Sequence, residues 1–154
     1  MFLELNETRA LDLARRDLIA ATPTTTMREV LELMRDRFGA VLIVDAEGRL
    51  AGIFTERDLI FRIDHASPAW RDRLVGEVMT KTPRTLPADA SIRDAIHLMN
   101  TGVFRRVPIV DDERRPLGVV SIRDVLRYIV DHYAAEFINL PPDPKSEASR
   151  PWGG

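Results

Sequence analysis

The chain repeats one stretch of sequence after 66 residues, first as Gly52-Ile-Phe-Thr-Glu-Arg-Asp-Leu59 and again as Gly118-Val-Val-Ser-Ile-Arg-Asp-Val125. The same offset carries Val41-Leu-Ile-Val-Asp45 onto Val107-Pro-Ile-Val-Asp111. Self-similarity at a fixed period is typical of architectures in which one unit buries its apolar face against another. Each copy holds about 60 residues, a length that gives only a marginal core by itself. The sequence therefore predicts two copies packed together into one domain.

Each copy has the same predicted order of elements, β-α-β-β-α. Thr26 and Ser91 open the first helices, each followed three residues later by an acid, which is the pattern of a capping box. Two β-branched runs separated by a polar turn then predict a hairpin, after which Thr55 and Ser121 open the closing helices. The predicted fold class is α/β (α+β), with two repeats packed as one pseudo-two-fold module. The strands are predicted at Leu18–Ala21, Val41–Val44 and Leu50–Phe54, and at Arg84–Leu86, Val107–Val110 and Leu117–Val120.

The repeat also sets the predicted domain boundaries. They are an N-terminal extension at 1–9, repeat one at 10–66, a connector at 67–74, repeat two at 75–135 and a C-terminal tail at 136–154. After Ile138 the composition changes to one rich in proline, which is typical of a disordered segment or one draped on the surface. A docking segment for a partner is the alternative for this tail.

Composition excludes several classes of function. The 154 residues are 45% hydrophobic and 30% charged, which is the composition of a folded domain. The net charge of −2 lacks the basic excess of a nucleic-acid binder, so nucleic acid is not an expected partner. The absence of cysteine removes disulfides, thiolate metal sites and thiol nucleophiles. The three histidines lie more than thirty residues apart, so no metal site is predicted.

No motif of the sequence predicts catalysis or membrane insertion. Neither a Gly-x-Ser-x-Gly elbow nor a Walker-type loop is present, so we do not expect an enzyme. No run approaches the ~18 consecutive apolar residues that a spanning helix requires. The N-terminal residues lack the basic region of a signal peptide, and a cytoplasmic protein is expected.

The two strand-to-helix junctions are the first candidate ligand sites. A helix that begins directly after a strand presents free N–H groups and a positive dipole end, which attract anions. The hydroxyls of Thr55 and Ser121 could bond a phosphate oxygen, and the carboxylates of Asp58 and Asp124 could accept from two vicinal hydroxyls such as those of ribose. The same residues also form an N-cap with an acid at the third helical position, which is favoured at any helix start. Both interpretations stay open at this point.

Two copies of β-α-β-β-α, with duplicated Gly-x-x-Thr/Ser-x-x-Asp junctions at Gly52–Asp58 and Gly118–Asp124, resemble a tandem pair of CBS (cystathionine-β-synthase-type) domains, called a Bateman module. The resemblance covers residues 10–130. It implies a regulatory module that binds an adenosine-containing ligand, such as AMP, ADP, ATP, NAD or S-adenosylmethionine, in clefts between the repeats, with no catalytic cofactor. It also implies a homodimer formed through helices, and signalling to an effector protein whose identity the sequence leaves unknown.

The resemblance also implies roles for individual residues. The Thr/Ser and Asp of each junction would hold phosphate and ribose. Arg106 matches a position where family members often place a phosphate-contacting basic residue, and Arg105 is its neighbour on the opposite face of the strand. The residues that follow, Val107, Pro108 and Ile109, would supply an apolar wall for the adenine ring. A solvated strand edge is the alternative for the arginine pair.

The first copy departs from this pattern, because Gly39-Ala-Val-Leu42 has neither the arginine pair nor the proline. The two clefts are therefore expected to be unequal, and Arg106 could serve a phosphate whose ribose is held by either Asp58 or Asp124. Arg123 is expected either to approach a phosphate or to form a salt bridge with the other repeat. Thr85 lies near a first strand, where family members contact the base through backbone groups.

Two functions remain open from the sequence. The first is a stand-alone sensor that binds an adenosyl ligand and signals to a partner through a conformational shift. The alternative is a purely structural dimerisation or interaction module with no physiological ligand. The closing helix Val125–Phe137 carries a broad apolar stripe, which favours a homodimer under either interpretation.

Overall fold

The structure is a computed structural model, and it describes residues 2–35, 39–102 and 104–138. The described residues form two sheets and seven α-helices. The first part of the chain holds α1 (Phe2–Glu7), α2 (Ala10–Leu13), β1 (Ala20–Ala21), α3 (Met27–Arg35), β2 (Ala40–Val44), β3 (Leu50–Thr55) and α4 (Glu56–Arg62). A 3₁₀ turn (Pro68–Asp72) connects it to α5 (Val75–Val78), β4 (Thr80–Lys81), β5 (Leu86–Pro87), α6 (Ile92–Gly102), β6 (Arg106–Val110), β7 (Pro116–Ser121) and α7 (Ile122–Ile138).

The two repeats have the same topology, which confirms the predicted pair of β-α-β-β-α units. In each repeat a first strand pairs in parallel with the leading strand of an antiparallel hairpin, β1 with β2 and β5 with β6. Both hairpins carry a register shift at the same place, between Ile43 and Val44 and between Ile109 and Val110. The capping acids act as predicted, because the carboxylates of Glu29 and Asp94 accept hydrogen bonds at the starts of α3 and α6.

The repeats exchange backbone pairing at their sheet edges, which the sequence does not predict. Strand β4 follows the connector, yet it pairs with β3 of the first repeat and completes a four-stranded sheet. The reciprocal contact joins Arg15 to Val119 of β7, where each backbone N–H donates to the other residue's carbonyl at 3.0 Å. The short helices that precede these two segments also contact the other repeat: α2 packs on β7, and α5 packs on β3.

Glycine is required where the exchanged segments cross the hairpins. A Cβ on Gly52 would lie 3.0 Å from the carbonyl oxygen of Thr80, and one on Gly118 would lie 2.9 Å from the Cβ of Ala14. Both distances are shorter than ordinary van der Waals contacts. The exchanged segments therefore approach the hairpins closely at Gly52 and at Gly118.

The buried apolar side chains of the described residues form three clusters. One cluster lies beneath α3 and includes Trp70, Val75 and Val78 from the connector and α5. A second lies beneath α6 and α7 and includes Leu5 of α1 and Leu11 of α2. The third lies between the two sheets and consists of Leu42, Leu50, Ile53 and Val110. The repeats are thus joined by exchanged helices and by a small apolar contact between their sheets.

Several element bounds differ from the predicted ones. The first strand of repeat one begins at Ala20 rather than Leu18, and that of repeat two begins at Leu86 rather than Arg84. The expected N-terminal extension contains α1, which packs against α6. Helix α7 continues through 136–138, three residues into the predicted tail, and the remaining 139–154 lie outside the described residues.

Among the residues that the structure describes, no helix has the length and apolar character to cross a membrane.

Candidate functional site

A cavity of about 400 Å³ lies between the two repeats and is lined by residues of both. Such a volume falls in the range of small-molecule sites. Its charged lining consists of Arg15, Arg105, Arg106, Arg123 and Arg127 together with Asp17, Glu56 and Asp124. The remaining lining consists of Leu18, Ile19, Gly39, Ala40, Leu42, Val119, Ser121 and Ile122. Five arginines against three carboxylates leave the cavity with an excess of two positive charges.

Ser121 and Asp124 lie at the start of α7 and form one wall of the cavity. The Asp124 Oδ2 accepts from the Ser121 backbone N–H at 2.9 Å and from its Oγ at 2.5 Å, while Ser121 Oγ accepts from the Asp124 N–H at 3.3 Å. The predicted capping box is therefore formed. The other carboxylate oxygen, Oδ1, lies 3.8 Å from Nη2 of Arg127, beyond ordinary hydrogen-bond distance. One oxygen of Asp124 thus secures the helix start, and the other forms a long ion pair with Arg127 but no hydrogen bond to it.

Thr55 and Asp58 form an equivalent box at the start of α4. The Asp58 Oδ2 accepts from the backbone N–H and the hydroxyl of Thr55, both at 2.9 Å. Its Oδ1 lies 3.2 Å from Nε of Arg62, whose Nη1 donates to the carbonyl of Val78 at 3.3 Å. Neither Thr55 nor Asp58 belongs to the cavity lining. The structure therefore separates the two junctions that the sequence treats as equivalent.

Arg106 belongs to the cavity that contains Asp124. It is the first residue of β6 and lies directly across the hairpin from Ser121. Its Nη1 donates to the Glu56 Oε2 at 3.1 Å, and its guanidinium lies beside Gly39. The sequence left open whether this arginine serves the site of Asp58 or of Asp124, and the structure places it with Asp124.

Two arginines of the cavity have no carboxylate partner among the residues that the structure describes. Arg105 and Arg123 are exposed, and neither takes part in an ion pair within the described ranges 2–35, 39–102 and 104–138. The salt bridge to the other repeat that the sequence allowed for Arg123 is therefore not formed with a described residue. Arg15, in contrast, is held by Asp17 at 2.9 Å, and this hydrogen bond raises the pKa of Arg15. Arg105 and Arg123 are the cationic groups most available to an anionic ligand.

The three residues expected to form an apolar wall, Val107, Pro108 and Ile109, are not part of the lining of this cavity. Val107 and Ile109 are 1% and 0% exposed and pack into the cluster beneath α6 and α7, because side chains alternate across a strand and these two share the face that points away from the cavity. Pro108 is buried, and it lies across the hairpin from Val119, which does line the cavity. The apolar part of the lining comes instead from residues that include Leu18, Ile19, Ala40 and Leu42.

Thr85 lies apart from the cavity. It lines a separate and more open groove together with Arg84, His97 and Arg114. The cavity residues that the sequence did not predict include Arg15, Asp17, Leu18 and Ile19, which lie close together in the chain, and Glu56. This segment reaches the cavity through the exchanged pairing of Arg15 with Val119, which involves residues 104 positions apart. Glu56 could have been noticed from its place directly after the capping Thr55 at the strand-to-helix junction. An acid at that position is also explained by its favourable interaction with the helix dipole, so the pattern did not point to a site.

Comparison with known proteins assigns the family. The CBS-domain model matches residues 10–65 and 75–131, so the chain belongs to the CBS-domain family and carries two copies of the domain. Among curated proteins, an uncharacterised protein of Methanopyrus kandleri, MK0525, is 33% identical over 117 residues, which are 75% of this chain and 60% of that protein.

Solved structures show the same fold with ligands bound. The CBS domain pair of protein MJ0100, in complex with 5-methylthioadenosine and S-adenosyl-L-methionine, is 25% identical with a TM-score of 0.70, and the match covers 81% of this chain and 98% of that one. The cytosolic domain of the Mg²⁺ channel MgtE, in complex with ATP, is 29% identical with a TM-score of 0.67, over 79% of this chain and 49% of that one. The chain thus spans about half of the MgtE chain and 60% of MK0525.

Proposed function

We propose that this CBS pair is a regulatory module that binds a phosphorylated, adenosine-containing nucleotide in the cavity between its repeats. The observation that carries the proposal is the meeting, in one cavity, of the Asp124 carboxylate with Arg105, Arg106 and Arg123. In this arrangement the Oδ1 of Asp124, which accepts no hydrogen bond from the residues that the structure describes, accepts from the ribose hydroxyls. The arginines receive the phosphate, because their planar guanidinium groups suit bidentate bonds to its oxygens.

The charge of the cavity favours a nucleotide over S-adenosylmethionine. Among solved CBS pairs, MgtE holds ATP and MJ0100 holds S-adenosylmethionine, so the fold admits both kinds of ligand. An excess of positive charge attracts the anionic phosphates of AMP, ADP, ATP or NAD and disfavours a cationic sulfonium. We therefore expect AMP, ADP, ATP or NAD to bind more tightly than S-adenosylmethionine.

Regulation follows from the position of the cavity. A ligand that contacts both repeats stabilises the arrangement in which those contacts form, and it shifts the population toward that arrangement. We propose that an effector protein, or a domain that contains this pair, responds to the shift. The role is regulatory rather than catalytic, since the site residues serve binding.

Calorimetry on the wild type, Asp124→Ala and Asp58→Ala tests the proposal, with AMP, ADP, ATP, NAD and S-adenosylmethionine as ligands. Asp124→Ala should weaken nucleotide binding at least tenfold, or by about 1.4 kcal/mol. Asp58→Ala should leave the affinity within about twofold, because Asp58 lies outside the cavity. Binding that is unchanged in Asp124→Ala would overturn the site assignment.

A homodimer is a second proposal, and a separate observation supports it. Helices α4 and α7 expose apolar side chains that the fold leaves uncovered: Ile60 is 65% exposed, Phe61 76%, Leu126 55% and Val130 58%. Such a surface fits a second copy of the chain. If no nucleotide raises the thermal stability of the protein at saturating concentration, a dimerisation module without a physiological ligand becomes the better account, because a bound ligand must stabilise the folded state.

A further inference from the structure

We infer that Glu56 is an internal competitor for the phosphate site. Its carboxylate pairs with Arg106 and competes with a phosphate that binds there. This inference rests on the proposed function and names how the same site is regulated. The contact is the 3.1 Å ion pair between Arg106 Nη1 and Glu56 Oε2.

The ion pair joins the two repeats at the cavity. Glu56 is the first residue of α4 in repeat one, and Arg106 is the first residue of β6 in repeat two. Both side chains are about one-third exposed and both line the cavity, so a ligand phosphate can approach the same guanidinium. A phosphate bound to Arg106 would lie against the Glu56 carboxylate, and two negative charges at such a distance repel each other.

The fold does not need Glu56 in this place. The start of α4 is capped by Thr55 and Asp58, so the helix keeps its cap when the Glu56 side chain turns away. The other two carboxylates of the cavity have partners nearby in sequence, since Asp17 pairs with Arg15 and Asp124 caps its own helix. Glu56 instead reaches a residue 50 positions along the chain. It is therefore the carboxylate of the cavity that can be displaced without breaking a local structure.

Displacement of Glu56 from Arg106 means that ligand binding changes a contact made by repeat one. The nucleotide has to exchange one ionic contact for another at Arg106, which raises the ligand concentration needed to fill the site. The exchange also releases the side-chain contact between α4 and β6. Since α4 carries the exposed Ile60 and Phe61, the release occurs on the helix that we propose for dimerisation.

The test is calorimetry with ADP on Glu56→Gln, which removes the charge and keeps the shape of the side chain. We expect Glu56→Gln to bind ADP about tenfold more tightly than the wild type, which is about 1.4 kcal/mol. Glu113→Gln is the matched control, because Glu113 also pairs with an arginine, Arg115, but in the hairpin turn away from the cavity. Its affinity should equal that of the wild type.

A double-mutant cycle separates competition at Arg106 from a general effect of charge. In the Arg106→Gln background, Glu56→Gln should bring no gain in affinity, since the competitor has lost its target. The inference is wrong if Glu56→Gln binds no more tightly than the wild type, or if the same gain persists without Arg106, and in both cases the proposed function stands. If neither the wild type nor Glu56→Gln binds ADP or another nucleotide, the proposed function fails, and the inference fails with it.

Discussion

The carboxylates of Asp124 and Asp58 form the same capping box in the two repeats, but that of Asp124 faces the cavity and that of Asp58 does not. Their second oxygens differ as well. The Oδ1 of Asp58 is held by Arg62 at 3.2 Å, whereas the Oδ1 of Asp124 is 3.8 Å from Arg127. The duplicated sequence has therefore produced two junctions that differ in how closely an arginine holds the second carboxylate oxygen.

This difference predicts that loss of either capping hydroxyl lowers the stability of the protein, whereas only loss of the Ser121 hydroxyl also weakens nucleotide binding. Thr55→Ala and Ser121→Ala should each lower the free energy of unfolding by about 1 kcal/mol, because each removes an N-cap. Ser121→Ala should also weaken nucleotide binding, since Ser121 positions Asp124 at the cavity. Urea unfolding and calorimetry on both variants measure the two effects. Equal losses of affinity would contradict the assignment of one site.

The crossing of α2 with β7 predicts a second effect on stability. Gly118→Ala places a methyl group 2.9 Å from the Cβ of Ala14 and should destabilise the protein by about 1–3 kcal/mol through overpacking. Urea unfolding measures the change. Ala14→Gly in the same chain should restore part of the loss, because it removes the closest of the atoms that the new methyl group meets. A Gly118→Ala protein as stable as the wild type would show that the segments do not cross so closely.

The capping acids predict a loss of stability in acid. Hydrogen bonds from the backbone and hydroxyl of Thr26 lower the pKa of Glu29, and those from the hydroxyl and backbone of Ser91 lower the pKa of Asp94. A carboxyl group whose pKa is lower in the folded protein stabilises it above the unfolded-state pKa, and this contribution disappears as the pH falls through the folded-state pKa. Urea unfolding from neutral pH into the acid range measures the slope.

Asp94→Asn should reduce this dependence on pH, because amide side chains do not titrate. Ser91→Ala should reduce it too, since it removes the hydroxyl that is the main cause of the shifted pKa of Asp94. If both variants keep the full slope of the wild type, the acid sensitivity arises elsewhere in the chain.

The exposed apolar residues of α4 and α7 predict a dimer that a single substitution to a charged residue can dissociate. Phe61→Asp and Val130→Asp should each shift the protein toward monomer in sedimentation experiments, because each places a charge within a buried apolar contact. Leu33→Asp is the control: Leu33 is an exposed apolar residue of α3, which belongs to neither of these helices. A wild-type protein that sediments as a monomer would contradict the proposed dimer.

The sequence predicted the parts of the fold that depend on local pattern. The repeat offset, the β-branched runs and the Thr26 and Ser91 boxes determine the two units and their helix starts, because these signals act over a few residues. The exchange of β4 was not predictable, since a strand of two residues carries almost no periodic signal. The same limit hid the arrival of Arg15 at the cavity.

In the candidate site too, residues that belong to a local motif were predictable from the sequence, whereas residues placed by distant parts of the chain were not. Ser121, Asp124 and Arg106 were found through their motif, and the structure brings them into one cavity. Val107 and Ile109, expected as an apolar wall, pack into the cluster beneath α6 and α7, because the apolar character of a strand does not tell which face meets the core. Glu56 was missed because its partner, Arg106, lies in the other repeat.

The most direct test of the central claim is a crystal structure of the protein grown with ADP. We expect the ribose within hydrogen-bond distance of Asp124, the phosphates on Arg105, Arg106 and Arg123, and the Glu56 side chain turned away from Arg106. Density for ADP at the Thr55–Asp58 junction or in the groove of Thr85, or a cavity that stays empty at saturating ADP, would contradict it.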